Sequence, residues 1–214
     1  MGGKAERGVL DVLKDTGAVI TDSHFVYTSG KHGPAYINKD AVYPHTKEAS
    51  RIGELFAERT RDLDIDVVVG PALGGIILSQ WTAHHLSELT GKEVLGVYTE
   101  KDDNENQIFR REYDKLVQGQ NVLVVEDLTT TGGSVKKVVD SVRHAGGNVI
   151  AVGVMVNRDP KNINEDTIGA PFFALGILPA EAFNEQDCHL CKDGVPINTS
   201  VGHGKRYLEE KNKS

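Results

Sequence analysis

The sequence predicts an α/β protein built on a parallel sheet, and three observations lead there. Apolar runs such as DVVVG at 66–70, NVLVVE at 121–126 and VIAVGVMVN at 149–157 alternate with segments of helical spacing. Those runs are continuously apolar, the mark of strands covered on both faces. With 214 residues, 39% of them hydrophobic, the chain suffices for one such core with an elaboration.

The elements follow in order. Residues 7–14 read as a short amphipathic helix with Val9, Leu10, Val12 and Leu13 on its apolar side. HFVYTSGKHGPAYIN at 24–38 reads as two short strands around a Ser29-Gly30 turn. Thr46 is placed to cap a helix running to about Asp62, with Ile52, Leu55 and Phe56 at helical spacing. A strand at 66–70 precedes a helix at 75–89, and strands at 94–99 and 121–126 follow. A helix at 134–145, closed by Gly146-Gly147, leads to the strand 149–157. Two segments break the rhythm: the polar stretch 100–120, long for a connection in a packed core, and the tail from Asn184, expected to end in a polar helix.

Composition removes several classes of function. A net charge of −7 argues against a global field that attracts nucleic acid. No apolar run reaches the roughly 18 residues that span a bilayer, so no membrane partner is expected. The N-terminal stretch carries no signal-like apolar segment, and two cysteines are too few for a disulfide framework; the expectation is a cytoplasmic protein.

Residues 122–134, VLVVEDLTTTGGS, carry the chemistry. An apolar strand ends in Glu126 and Asp127, a Thr129-Thr130-Thr131-Gly132-Gly133-Ser134 run follows, and a helix begins. Backbone N–H groups over 130–134 and the positive helix end suit a phosphate dianion, and the glycines allow close approach. The carboxylates would repel phosphate but accept well from vicinal hydroxyls. Together these are the needs of a ribose 5-phosphate site. The blander alternative is an acidic strand end before an ordinary turn. No Gly-Lys-Ser/Thr closes the loop, so it is not a Walker P-loop.

This run resembles the phosphoribosyl pyrophosphate signature of the type I phosphoribosyltransferases. The chain as a whole is similar to the orotate phosphoribosyltransferase family. The resemblance implies a Rossmann-like parallel-sheet core at 46–183, an N-terminal helix and base-binding hood at 1–45, and a C-terminal extension at 184–214. It implies that Ser29, Gly30, Lys31, Tyr36 and Asn38 line the base, joined by Arg158 after the strand 149–157. It places Ala72, Leu73, Gly74 and Gly75 in the pyrophosphate loop. It assigns Lys101, Arg110 and Arg111 to a mobile catalytic loop, with Asp127 as the further catalytic group. The implied cofactor is Mg²⁺ carried mainly on phosphoribosyl pyrophosphate, with no metal held by protein residues alone; the implied partners are that donor, orotate and a second copy of the chain. The chain departs from the family pattern at Gly74, where many members carry lysine, and in the acidic run 100–106. A purine or other-base transferase and a non-catalytic sensor of the donor remain as alternatives.

Cys188-His189-Leu190-Cys191 is half of a zinc motif. With no second CxxC or His pair nearby in sequence, reduced packing cysteines are expected. His84-His85 reads as surface or interface.

Overall fold

The computed structural model describes residues 7–27 and 29–211. The parts of the expected hood and extension at 1–6, Thr28 and 212–214 lie outside the described residues. The first element among the described residues is α1 (Val9–Asp15), whose Val9, Val12 and Leu13 are buried. Four two-residue strands follow: β1 (Val19–Ile20), β2 (Phe25–Val26), β3 (His32–Gly33) and β4 (Tyr36–Ile37). Pairing of β2 with β3 is the expected hairpin around Ser29-Gly30, and β1 pairs with β4 beside it. α2 (Thr46–Thr60) starts one residue after the cap position His45, so Thr46 is its first helical residue and caps nothing.

The core then alternates: β5 (Val67–Pro71), α3 (Gly74–Thr90), β6 (Leu95–Lys101), β7 (Gln107–Phe109), α4 (Tyr113–Val117), β8 (Asn121–Thr129), α5 (Gly133–His144) and β9 (Asn148–Asn157). α6 (Glu165–Ile168) leads into β10 (Phe172–Ile177), and α7 (His189–Lys192) and α8 (Gly204–Lys211) close the chain. Six strands form one sheet in the order β10-β9-β8-β5-β6-β7, parallel except for the edge strand β7. Among the described residues no helix is long and apolar enough to cross a membrane.

Side chains alternate across this sheet as the strand period demands. Leu123 and Val125 of β8 face one side, with Ile52, Phe56, Leu78 and Leu86 of α2 and α3 and the apolar face of α1. Val122 and Val124 face the other, against Val135, Val138, Val139 and Val142 of α5. Phe56 is fully buried and meets Phe173 edge-on at 6.2 Å. Phe56→Ala is expected to lower the unfolding free energy by about 3–5 kcal/mol, read by denaturant titration. A loss below about 1 kcal/mol would mean this layer repacks freely.

Three differences from the sequence reading bear on the site. β8 runs to Thr129, so Glu126 and Asp127 lie inside a paired strand; Leu128 and Thr129 continue the ladder against β9. The stretch 100–120 is structured: β6 turns back into β7, and α4 follows. Its polar composition reflects an edge hairpin in which only alternate residues need cover. β10 arises from PFFALGI at 171–177, an apolar run too brief to separate from a buried helix by period alone.

Candidate active site

Parallel strands deliver side chains to the edge where their carboxyl ends meet the following helices. Here β5, β6 and β8 bring the 71–74 loop, Lys101 and the acid pair around one cavity of about 320 Å³. Lys39, from the turn after β4, also lines it. A second cavity of about 210 Å³ is formed by residues 128–135, the segment joining β8 to α5. Leu128 and Ser134 line both, so the two spaces adjoin.

The second cavity sits at the N-terminus of α5, whose cap residue Gly132 has φ +77° and no side chain to occupy the free N–H groups. A Cβ at Gly132 would press on Ile168 at 3.1 Å while demanding a left-handed backbone, so glycine is required there. Thr130, Thr131, Gly133 and Ser134 are exposed around this helix end, while Thr129 is buried with its hydroxyl unpartnered. The larger space of about 900 Å³ between β7 and α5 has neither the acid pair nor a phosphate-type loop.

Asp127 is buried and heavily engaged. Its Oδ2 accepts from Lys39 Nζ at 2.7 Å and from the Tyr43 hydroxyl at 3.1 Å, and its Oδ1 accepts from the Leu128 amide at 2.7 Å. Burial opposes the charge on Lys39, but Asp127 outweighs it and the ammonium is held above its ordinary range. Burial and then Asp127 push the Tyr43 phenol up, so it stays protonated and donates. Neither residue was singled out from sequence. Lys39 lies 88 positions from Asp127, and a lysine four residues before a tyrosine is an unremarkable local pattern.

Gly74 acquires a physical reason. A Cβ at this position would collide with the Asp127 carboxylate and the Tyr43 hydroxyl. Lys39, from the hood side, lines the same cavity as Gly74 and places an ammonium there.

Glu126 is also buried; its Oε1 accepts from the Asp127 amide at 2.9 Å. Burial, and then the neighbouring Asp127 charge, push its carboxyl up to about 8. Because the folded pKa is raised, the stabilisation belongs to the protonated form. It is present at low pH and is lost as pH rises from the ordinary glutamate range through about 8. A ligand whose hydroxyls donate to Glu126 favours the ionised form, so binding should release protons at pH 7. Calorimetry of phosphoribosyl pyrophosphate binding in buffers of different ionisation heat should report that release, and Glu126→Gln should remove it. Equal proton release in wild type and variant would contradict this role.

The expected lid residues divide. Lys101 lines the cavity while contacting Glu105 at 3.4 Å. Arg111 pairs with Glu100 and stacks over Tyr98 at 5.5 Å, and Arg110 lies 3.9 Å from the same Glu100. Both arginines are outside the lining of this cavity, because Glu100, on the same hairpin, draws them to its outer side. Of the pyrophosphate-loop residues, Ala72, Leu73 and Gly74 line the cavity and Gly75 continues into α3; the Ala72–Leu73 peptide is cis.

None of the expected base-side residues lines the cavity of the acid pair: Ser29, Gly30, Lys31, Tyr36 and Asn38 lie in the hood and Arg158 follows β9, and Gly30 lines a separate pocket with Tyr207. Ser29, Gly30 and Lys31 are exposed, and Asn38 is half-buried beside Lys39. Tyr36 packs against Phe25 at 5.5 Å. The Arg158 amide donates to Thr129 O at 2.8 Å, and its guanidinium lies near the Tyr27 hydroxyl, which donates to Ala35 O at 2.7 Å. Arg158 Nε is buried without a partner. Tyr27 is a further residue that sequence reading passed over.

The chain is similar to known proteins over most of its length. The profile of the phosphoribosyl transferase domain matches residues 38–169. The chain is 37% identical over 190 residues to the orotate phosphoribosyltransferase of Caldanaerobacter subterraneus subsp. tengcongensis, covering 89% of this chain and 93% of that one. It is 33% identical over 196 residues to the Thermotoga maritima orotate phosphoribosyltransferase, covering 92% and 98%. Among solved structures, orotate phosphoribosyltransferase from Aeropyrum pernix superimposes with a TM-score of 0.60 at 27% identity, over 79% of this chain and 93% of that chain. The Mycobacterium tuberculosis enzyme in complex with 5-phospho-α-D-ribosyl 1-diphosphate gives 0.53 at 27% identity, over 66% and 80%.

Proposed function

The chain belongs to the phosphoribosyltransferase family and, within it, to the orotate phosphoribosyltransferases; on that premise we propose that it transfers the phosphoribosyl group of phosphoribosyl pyrophosphate to orotate, giving orotidine 5′-monophosphate and pyrophosphate. The observation that carries this reading is the pair of adjoining cavities with the acid pair lining the larger of them. One is lined by free helix N–H groups and hydroxyls and fits the 5-phosphate. The other is lined by Lys39, Lys101 and the backbone of residues 71–74 and fits the pyrophosphate. Glu126 and Asp127 then accept from the ribose hydroxyls.

In the reaction a base nitrogen attacks the anomeric carbon as the carbon–oxygen bond to pyrophosphate breaks. Positive character on the ribose is stabilised by Asp127, and negative charge on the departing oxygens by Lys39 and Lys101. The hard carboxylate oxygens at the cavity fit a magnesium ion carried on the donor, and when bound it neutralises part of the pyrophosphate charge. The unpartnered Nε of Arg158 favours an anionic base such as orotate over a neutral purine. Ser29, Gly30, Lys31, Tyr36 and Asn38 of the hood complete the base side of this proposal.

The proposal includes a homodimer in which the Arg110–Arg111 segment serves the neighbouring site. What supports it is that these arginines lie outside the cavity of their own chain, while Leu73 at its rim is 82% exposed. It also places the enzyme in the cytoplasm, where the free thiols Cys188 and Cys191 stay reduced.

The test is an assay of base loss with Mg²⁺, phosphoribosyl pyrophosphate and a panel of orotate, uracil, adenine, guanine, hypoxanthine and xanthine. Orotate alone should be consumed. Turnover of a purine in its place would overturn the base assignment, and binding of the donor without turnover of any base would favour a sensor.

A further inference from the structure

The hood and the C-terminal extension meet at a cluster that the proposed reaction does not use. His24 Nε2, His32 Nδ1 and the sulfurs of Cys188 and Cys191 all lie within 4.8 Å of one another. His24 and His32 come from β2–β3 and its approach, and the cysteines from the two ends of one turn at α7. The histidine pair missing from the neighbourhood of the CxxC in sequence is therefore supplied by folding, from more than 150 residues away. The expectation of merely packing cysteines is replaced by a four-membered donor set.

We propose that His24, His32, Cys188 and Cys191 form a structural zinc site that clips the C-terminal extension onto the hood. The donor set has the composition of tetrahedral two-sulfur, two-nitrogen zinc centres. Tetrahedral zinc with ordinary bond lengths separates a nitrogen and a sulfur ligand by about 3.5 Å. Here His24 Nε2 is 3.7 Å from each sulfur, and His32 Nδ1 is 3.3 Å from Cys191 Sγ. The two ring nitrogens are 2.8 Å apart, so binding opens that pair by roughly half an ångström.

The frame around these atoms is built. His24 Nδ1 donates to Val195 O at 2.8 Å, which fixes the ring and leaves the Nε2 lone pair facing the cluster, as a ligating imidazole requires. Both histidines are fixed through their backbones: His32 exchanges two 2.8 Å bonds with Phe183, the residue before the extension, and His24 O accepts from Asn198 N of the extension at 2.7 Å. Cys188 and Cys191 stand three apart, on the same side of the turn. His24, His32 and Cys188 are at most 1% exposed. Two thiolates and a dication sum to zero charge, which suits that burial. Four protein ligands leave no open position, so the ion is a fastener and not a catalyst.

The experiment uses untagged full-length protein purified under a reducing phosphine without chelator, followed by gel filtration and elemental analysis. About one zinc per chain is expected to be retained, and Cys188→Ser combined with Cys191→Ser should reduce it at least tenfold. Chelation should lower Tm by about 5–10 °C, with recovery on adding zinc. Should the double variant fail to fold, cobalt substitution of the wild type decides. Visible bands of tetrahedral cobalt together with thiolate-to-cobalt charge transfer support the site. Reduced protein that stays zinc-free after incubation with zinc, or cobalt-treated protein without the thiolate band, overturns it. A CxxC recovered only as a disulfide, with no zinc uptake after reduction, also overturns it.

Discussion

Asp127→Asn is expected to lower kcat for orotidine monophosphate formation by about 10²–10³-fold while leaving the protein folded. The size follows from the position of this carboxylate. It is buried on β8, it lines the cavity with Glu126, and it faces the ribose in the proposed complex. Asparagine keeps the volume but removes the negative charge that stabilises a ribose carrying positive character. It also weakens the hold on Lys39, whose side chain is 38% exposed, so the accompanying stability loss is put at only about 1–2 kcal/mol. The diagnostic is the split: kcat should fall far more than KM for the donor rises. Steady-state kinetics beside a thermal melt reads both. Turnover within about threefold of wild type would remove Asp127 from the reaction.

The second large effect is expected at Lys39. Lys39→Met keeps the aliphatic stem but deletes the ammonium 2.7 Å from Asp127. Two consequences add. Asp127 keeps its tyrosine and amide donors but loses its only side-chain cation among the described residues. The cavity also loses one of the two lysines that line it, which in the proposed complex faces the pyrophosphate. The expected fall in kcat/KM is about 10²-fold, with KM for phosphoribosyl pyrophosphate rising, because a cation on the leaving group acts in both the bound and the transition states. Lys39→Arg should restore part of it. A variant with unchanged KM would mean that Lys39 serves the carboxylate and not the donor.

How much of this was readable from sequence depends on the distance along the chain between the groups involved. The 122–134 run is local, and its acids, hydroxyls and glycines follow one another in the order in which they surround the site. The parallel sheet was readable because continuous apolar runs such as Val67–Val69 and Val122–Val125 have no solvent face. The Lys39–Asp127 pair was not, since neither residue's neighbours indicate that the chain returns there. The same holds for His24 and His32 meeting Cys188 and Cys191: the CxxC was visible, but its partners come from a hairpin that looked concerned only with the base. The polar run 100–106, EKDDNEN, gives no strand signal of its own. In fact Asp102 accepts from the Asn104 and Asn106 amides and builds the turn between β6 and β7. The resemblance places Arg110 and Arg111 in a catalytic loop, but their attraction to Glu100 is visible only with the hairpin formed.

The most direct test of the central claim is the stoichiometry of a single reaction mixture. Purified protein with Mg²⁺, phosphoribosyl pyrophosphate and limiting orotate is followed by chromatography of every product. Orotate lost, orotidine monophosphate formed and pyrophosphate released should agree one to one, and all three should nearly vanish with Asp127→Asn. Donor consumed as ribose 5-phosphate with orotate untouched, or orotidine monophosphate formed at an undiminished rate by the Asp127 variant, would contradict it.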